Sequence, residues 1–284
     1  MALPSYATPL ERIWYYTLRV ICAVIFLFLI VPIVVIIPLS FTATDFFTYT
    51  PKMLALDPEG YSLRWYKTFL TDERWTRAFV NSLSISPAAA LLSTALGTLA
   101  AIGLSQSRVP FRGAIMGILI SPMIVPLIIS AAGMYFFYSR LGLQGTWWGV
   151  VLAHAALGTP FVIITVTATL VGFDTSLTRA SANLGAGPVR TFFKVQMPLI
   201  LPGVISGGLF AFITSFDEVV VVLFVGSQSQ KTLPWQMFTG LREQISPAIL
   251  AAATILVLFS IALLSVVELL RRRSERLRGI AQPT

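Results

Sequence analysis

Long apolar runs constrain this chain more than any other feature of its sequence. Each is about 20 residues or longer, enough to cross the roughly 30 Å hydrocarbon core of a bilayer as a helix. We place the predicted spans at residues 17–40, 79–104, 113–137, 147–172, 199–225 and 248–270. The alternating pattern of membrane barrel strands is absent, and helices satisfy their backbone hydrogen bonds internally. The sequence therefore predicts an all-α membrane protein with six transmembrane helices, forming a single domain over residues 1–284.

The distribution of basic residues predicts the orientation of these helices. If the N-terminus is inside, 12 of the 20 Lys and Arg residues lie on the cytoplasmic side. They are Arg12, Arg19, Arg108, Arg112, Arg179, Arg190, Lys194, Arg271, Arg272, Arg273, Arg276 and Arg278. Most of the others lie in or beside one long outer loop, residues 41–77, where the positive-inside rule counts weakly. Both termini are therefore predicted to be cytoplasmic.

Composition and motifs exclude several classes of function. The net charge of +8 could suggest nucleic-acid binding, but with 56% hydrophobic residues, membrane topology explains the basic residues better. The sequence contains no Gly-x4-Gly-Lys-Ser/Thr phosphate loop, and no metal-ligand cluster or nucleophile–base pair stands out. We therefore expect no enzyme activity and no bound cofactor or metal in this chain.

The segment between the fourth and fifth predicted spans, residues 173–198, is longer than a turn between two helices requires. We call it the 173–198 loop, and its pattern predicts two short helices with a bend. Ser176 can cap the first helix and Gly185 can end it in the left-handed conformation. Pro188 suits the first turn of the second helix, and Pro198 is expected to break that helix before the next span. A helix of about nine residues is marginal alone in water, so the first helix must dock on something.

The loop resembles the signature of the membrane subunits of binding-protein-dependent ABC importers. That signature is Glu-Ala-Ala, three residues, Gly, nine residues, a branched apolar residue, any residue, Leu and Pro. This chain has Arg179-Ala180-Ser181, then Gly185, then Val195-Gln196-Met197-Pro198, with every spacing kept. Arg179 stands where the family usually has Glu, so a contact that relies on this carboxylate cannot be carried over.

The resemblance implies a type I ABC importer permease in a bacterial inner membrane, with the 173–198 loop as a cytoplasmic coupling helix. Such a helix sits in a cleft of a separate ATPase subunit, which would hold ATP and Mg. The residues implied in coupling are Leu177, Arg179, Ala180, Ser181, Leu184, Gly185 and Pro198. An external solute-binding protein and a second permease, which pairs with this one as a heterodimer, are the other implied partners.

Two further stretches resemble the spermidine/putrescine type of permease in particular. They are "SFDEVVVVLFVG" at 215–226 and "LPWQMFTGLREQISPAILAAATILV" at 233–257. This likeness implies a polyamine as the solute. Amino-acid-like solutes, opines and other small metabolites remain alternatives.

Two adjacent acidic residues stand out in the fifth predicted span. Asp217 and Glu218 would each cost about 2.5 to 3.5 kcal/mol near the middle of a membrane helix. They could line a polar path that attracts an ammonium group, or form a structural pair with another helix, a subunit or the outer interface. Trp235, in the next outer loop, could contact the solute or a delivery protein. His154 is more typical of a helix-packing hydrogen bond than of a metal site.

An ion-coupled secondary transporter is the main alternative function. In that case Asp217 and Glu218 would carry the coupling ion. Such a transporter would not need the 173–198 loop, and six spans without an inverted repeat fit it poorly. A membrane scaffold without a transport role would leave the two carboxylates unexplained.

Overall fold

The structure, a computed structural model, describes residues 8–105, 109–243 and 245–277. Two of the residues used above for orientation, Arg108 and Arg278, lie outside these ranges. The described α-helices are α1 (Pro9–Leu39), α2 (Pro51–Leu54), α3 (Arg64–Thr71), α4 (Glu73–Ser105), α5 (Arg112–Ile124), α6 (Leu127–Leu141), α7 (Trp147–Val171), α8 (Ser176–Asn183), α9 (Pro188–Thr191), α10 (Met197–Phe216), α11 (Val220–Val225), α12 (Leu233–Glu243) and α13 (Ala248–Leu277). The predicted all-helical fold is confirmed for the described part of the chain.

In the part of the chain that the structure describes, four helical stretches are long and apolar enough to cross a membrane. They are α1, α4, α7 and the continuous stretch Pro188–Phe216, and the bent pair α5 and α6 would make a fifth. Within α13, residues Ala248–Ala262 form a shorter apolar helix. The count of six transmembrane helices and the cytoplasmic position of both termini stay predictions.

The third predicted span, residues 113–137, is not one continuous helix. Helices α5 and α6 meet at an angle of 103°. Val125, which ends α5, has an extended backbone with φ −69° and ψ 136°. Because Pro126 follows it, the helical conformation is disfavoured at Val125. Four other prolines in predicted spans, Pro87, Pro122, Pro160 and Pro202, lie inside helices.

The chain divides into two compact units. The first unit comprises residues 1–72 and 240–284, of which the structure describes 8–72, 240–243 and 245–277. Its helix α1 begins at a capping box, where the Thr8 backbone N–H donates to the Glu11 carboxylate over 2.8 Å. After α1, the Ser40 hydroxyl lies 2.6 Å from the Tyr66 hydroxyl, which ties the loop that follows α1 to the end of that helix.

The second unit, residues 73–239, contains a tight bundle of α4, α7 and α10. Small residues let these helices approach closely, as is usual between membrane helices. A β-carbon added at Gly158 would lie 2.7 Å from Ser93 Oγ and 2.9 Å from Ala211 Cβ. One added at Gly207 would lie 2.7 Å from the Val162 Cα. Apolar side chains such as Val162 are fully buried between the helices.

Hydrogen bonds across the bundle fix the directions of its three helices. The Trp147 indole N–H donates to the Ser84 hydroxyl over 3.2 Å, and further along both helices the Ser93 hydroxyl donates to the Ala155 carbonyl over 3.0 Å, so α4 and α7 run parallel. His154 Nδ1, near the start of α7, lies 2.7 Å from the Ser215 hydroxyl near the end of α10, while a β-carbon added at Gly203 near the start of α10 would lie 2.7 Å from Thr169 near the end of α7, so α10 runs antiparallel to α7. The 173–198 loop, which joins α7 to α10, therefore lies at the opposite end of the bundle from the start of α4.

Candidate functional site

An acidic residue just before the first helix of the 173–198 loop holds its first turn. The Asp174 carboxylate accepts the Ser176 backbone N–H over 2.8 Å and the Ser176 hydroxyl over 2.7 Å. These bonds favour the ionised carboxylate and lower the pKa of Asp174. The expectation that Ser176 caps α8 is therefore wrong, because Ser176 is the first residue of the helix and donates to Asp174.

Gly185 ends α8 as the sequence predicted. Its φ is +82°, in the left-handed region that suits glycine. Two backbone bonds close the turn: Gly185 N–H donates to the Ala182 carbonyl over 2.9 Å, and Ala186 N–H donates to the Ser181 carbonyl over 3.1 Å. The chain thus reverses at the glycine of the signature and enters α9 three residues later, with Pro188 in its first turn.

Pro198 does not end the second helix of the loop, contrary to expectation. A π-helical turn at Phe192–Gln196 joins α9 to α10, and the helical stretch continues from Pro188 to Phe216. At this turn the Met197 N–H donates to the Phe192 carbonyl, five residues back. A regular α-helix would place the Pro198 ring against the carbonyl four residues earlier, and the wider turn relieves this clash.

One hydrogen bond joins the two helices of the loop across their bend. The Ser181 hydroxyl lies 2.9 Å from the Thr191 hydroxyl. Thr191 is buried, while Ser181 is partly exposed. The spacing of the signature gave no reason to pair these two residues, which meet only after Gly185 has reversed the chain.

The exposed surface of the 173–198 loop carries large apolar side chains as well as basic ones. Leu184 is 88% exposed, Val189 70% and Phe193 61%. Three exposed basic residues lie along the same segment: Arg179, Arg190 and Lys194. Leu177 and Ala180 are also exposed. A face of this kind is typical of a surface that another protein covers.

The predicted fifth span, residues 199–225, breaks where its two acidic residues lie. Helix α10 ends at Phe216 and α11 begins at Val220, so the expected continuous helix is wrong. Glu218 is 7% exposed, and its Oε1 accepts the Val221 N–H over 2.8 Å, which explains the start of α11. Asp217 is exposed. The structure therefore gives the two carboxylates different surroundings: Glu218 caps a helix and Asp217 faces outward.

Trp235 lies in α12 rather than in an open loop. Its side chain is 7% exposed and packs in the core cluster that contains Val221 and Val222. The Lys231 ammonium group lies 5.6 Å from the centre of its ring. In this conformation the indole is a packing residue, and its contact with a solute or a delivery protein stays a prediction. His154 makes the packing bond with Ser215 that the sequence favoured.

A polar turn beside these residues gave no signal in the sequence. The Asn81 side-chain amide donates to the Ser229 and Lys231 carbonyls over 2.8 and 2.9 Å. The Ser82 hydroxyl accepts the Leu233 N–H over 2.8 Å. These bonds fasten residues 229–233 to the start of α4. About 150 residues separate the partners in the chain, which local patterns cannot reveal.

A family model described as the binding-protein-dependent transport system inner membrane component matches residues 93–277. The match includes α7, the 173–198 loop and α10. The chain belongs to this family. It is therefore a multi-pass inner-membrane permease of the ABC importer class, as the signature indicated.

Two relatives resemble this permease over most of its length. It is 32% identical over 251 residues to the spermidine/putrescine transport system permease protein PotC of Haemophilus influenzae, covering 88% of the permease and 95% of the relative. It is 30% identical over 270 residues to the putrescine transport system permease protein PotI of Escherichia coli K12, covering 90% and 91%. The resemblance to polyamine-type permeases is confirmed.

A solved structure supports the fold. The permease matches a chain of a bacterial ABC transporter involved in the import of the acidic polysaccharide alginate with a TM-score of 0.71, at 18% identity. The match covers 95% of the permease and 99% of that chain. At this identity the likeness shows the fold alone, and that fold is the type I ABC permease fold.

Proposed function

We propose that the permease forms half of the translocation path of an ATP-driven importer, with the 173–198 loop as the part that a separate ATPase moves. A second, related permease forms the other half. An external binding protein delivers the solute. ATP and Mg bind to the ATPase subunits, and this chain binds no cofactor of its own.

The observation that carries this proposal is the geometry of the 173–198 loop. It keeps the signature spacing, and Gly185 reverses the chain at the position of the signature glycine. The second helix of the loop, α9, is continuous with α10, so a displacement of the loop is transmitted directly to a helix of the core bundle. Leu184 of the loop is almost completely exposed, as expected of an apolar side chain that a partner protein would cover.

This proposal predicts that one substitution on the loop detaches the ATPase. Leu184→Asp places a charge where an apolar contact is expected, and burying an unpaired carboxylate costs well over the 1.4 kcal/mol that corresponds to a tenfold change. We expect the ATPase recovered with the tagged permease to fall by about tenfold or more. The second permease should still be recovered. Because Leu184 is 88% exposed, the permease itself should fold normally.

The matched control is Leu63→Asp, at a residue that is 66% exposed in the predicted outer loop. It introduces the same charge and should leave ATPase recovery unchanged. Equal recovery of the ATPase with Leu184→Asp and Leu63→Asp would contradict the assignment of the loop.

We further propose that the solute is a polyamine. PotC and PotI are named for spermidine and putrescine transport, and their likeness extends over most of the chain. In the permease, Asp217 offers an exposed carboxylate just after the end of α10. A carboxylate there attracts an ammonium group, yet an exposed pair is weak enough to release the solute. The ion-coupled alternative lacks comparable support, because Glu218 is occupied as a helix cap.

Replacing Asp217 with Asn is expected to lower the initial rate of putrescine uptake. An exposed ion pair contributes up to about 1 kcal/mol, so the decrease should be about two- to fivefold. Glu218→Gln is the matched control, since its side-chain oxygen can still accept the Val221 N–H. Uptake should be measured with labelled putrescine in vesicles that contain the whole complex. Equal uptake rates for Asp217→Asn and the unchanged permease would show that Asp217 does not contribute to the translocation path.

A further inference from the structure

Helix α8, the first helix of the 173–198 loop, is weakly attached to the rest of the permease. None of its eight residues is buried, so apolar packing contributes little to holding it in place. The turn at residues 184–187 joins it to α9. This turn contains Gly185, which leaves the backbone free to bend. A displacement of α8 therefore reaches α9 and α10 only to the extent that a further contact fixes α8 to α9.

The hydrogen bond between the Ser181 and Thr191 hydroxyls is that contact. Their oxygen atoms lie 2.9 Å apart. Ser181 lies in α8, and Thr191 is the last residue of α9, directly before the π-helical turn that leads into α10. In the part of the chain that the structure describes, this is the one side-chain hydrogen bond between α8 and the helices that follow it. We call it the 181–191 bond.

The backbone holds both partners of the 181–191 bond in place. The Thr191 N–H donates to the Gly187 carbonyl over 2.9 Å, and the Ala186 N–H donates to the Ser181 carbonyl over 3.1 Å. Thr191 is 8% exposed, so water has little access to compete for its hydroxyl. Groups that are already positioned lose little conformational freedom when they bond. The 181–191 bond is therefore stronger than one between two exposed hydroxyls would be.

Residue 181 departs from the signature of the family. The signature has Ala at this position, which offers no side-chain donor or acceptor, whereas this chain has Ser181. Serine is a poorer helix former than alanine, so it weakens α8 locally. Its hydroxyl compensates through a contact across the bend rather than within α8. The 181–191 bond is therefore a feature of this chain that the signature does not contain.

We propose that the 181–191 bond makes α8 and α9 move as one body, so that a displacement of α8 by the ATPase reaches α10. The inference rests on the proposed function and identifies the contact within the loop that transmits the movement. Ser181 and Thr191 are positioning residues, which act on the translocation path through α10. Without their bond, α8 turns about Gly185 while α9 stays in place, and ATP is hydrolysed with less solute transported.

The test measures how many molecules of labelled putrescine the complete complex with binding protein transports into vesicles per ATP hydrolysed. Thr191→Val keeps the branched shape of the side chain and removes its hydroxyl. We expect it to lower this ratio about fivefold, the change that corresponds to one lost hydrogen bond, while ATP hydrolysis continues. Thr191→Ser keeps the hydroxyl and should retain a ratio near that of the unchanged complex. If Thr191 acted by packing alone, Thr191→Ser would lower the ratio more than Thr191→Val.

Ser181→Ala tests the other partner of the bond. Alanine is the better helix former, so a lower ratio in this variant cannot come from unfolding of α8. We expect the ratio to fall about fivefold here too. The variant with both Ser181→Ala and Thr191→Val should lose no more than either single variant, because the two residues share one interaction. Losses that multiply would show that the two residues act separately, and would contradict the inference.

Thr178→Val is the matched control. The Thr178 hydroxyl donates to the Thr175 carbonyl over 2.7 Å, a contact that does not reach α9. The substitution is the same as at Thr191 and lies three residues before Ser181. It should leave the ratio unchanged. Equal ratios for Thr178→Val, Thr191→Val and Ser181→Ala would overturn the inference.

A second measurement needs no solute. Hydrogen exchange of the Gly185 and Ala186 backbone amides, measured on the purified complex, should be faster with Thr191→Val than with Thr178→Val, because the 181–191 bond holds their turn closed. If the unchanged complex shows no ATP-dependent uptake of putrescine, the proposed function is wrong, whereas the exchange rates still report on the bond. If uptake is normal and Thr191→Val matches Thr178→Val in both measurements, only the role of the 181–191 bond is wrong.

Discussion

Replacing Gly185 with Val is expected to lower solute uptake by the reconstituted complex about tenfold or more. Gly185 has φ +82°, and this left-handed backbone costs a residue with a β-carbon about 1–2 kcal/mol, with more for a branched one. The turn between α8 and α9 would then open or shift. In the proposed function an ATPase moves α10 through both helices of the loop, so an altered turn would weaken the transmission of this movement to the bundle. The measurement is ATP-dependent uptake in vesicles, together with recovery of the ATPase.

The loop offers a closely matched control two residues away. Gly187 has φ −68° and ψ 166°, an extended backbone that valine accepts readily. A β-carbon at either glycine meets no heavy atom within 4 Å, so the two substitutions differ in backbone strain rather than in crowding. Uptake with Gly187→Val should stay near that of the unchanged complex. If both variants transport equally well, the left-handed turn is not needed for coupling.

Gly207→Val is expected to destabilise the permease substantially. A β-carbon at Gly207 would lie 2.4 Å from Thr165 Oγ1 and 2.7 Å from the Val162 Cα. The second of these atoms is backbone, so α7 and α10 would have to separate, and overpacking of this kind typically costs about 1–3 kcal/mol. We expect the melting temperature in detergent to fall by about 5 °C or more, with a loss of the monodisperse peak in size exclusion.

The control for this prediction is Gly103→Val in α4. There a β-carbon would meet no heavy atom within 4 Å, so the same side chain enters open space. Its melting temperature should lie close to that of the unchanged permease. A Gly207→Val variant as stable as Gly103→Val would mean that α7 and α10 do not pack as closely as described.

The helices were predictable because the bilayer leaves the backbone few choices. In the described part of the chain each predicted apolar run is mostly helical, although 113–137 and 199–225 are each broken into two helices, since a segment in hydrocarbon must satisfy its own N–H and C=O groups. The turn at Gly185 was equally predictable, because only glycine adopts its conformation without strain. In both cases the deciding interaction lies within a few residues of the chain.

The breaks within helices were harder to predict, because they depend on packing as well as on residue type. Pro126 bends its span by 103°, whereas Pro160 lies inside the continuous helix α7. Pro198 is absorbed by a π-helical turn. Glu218 looked like one of two equivalent carboxylates, but it is the buried cap of α11, and only Asp217 is exposed. Sequence spacing alone does not distinguish these outcomes.

The packing of the turn at 229–233 could not be predicted for a different reason. About 150 residues of the chain separate this turn from Asn81, whose side-chain amide donates to the Ser229 and Lys231 carbonyls. Sequence patterns describe neighbours a few residues apart, so a contact between such distant segments leaves no local signal.

The central claim is that the permease moves solute only when a separate ATPase drives it through the 173–198 loop. The most direct test compares labelled putrescine uptake in two sets of vesicles. One set holds the complete complex with binding protein, and the other holds the permease alone under a proton or sodium gradient. We predict uptake in the first set only when ATP can be hydrolysed, and none in the second. Accumulation of putrescine by the permease alone, driven by an ion gradient, would contradict the account.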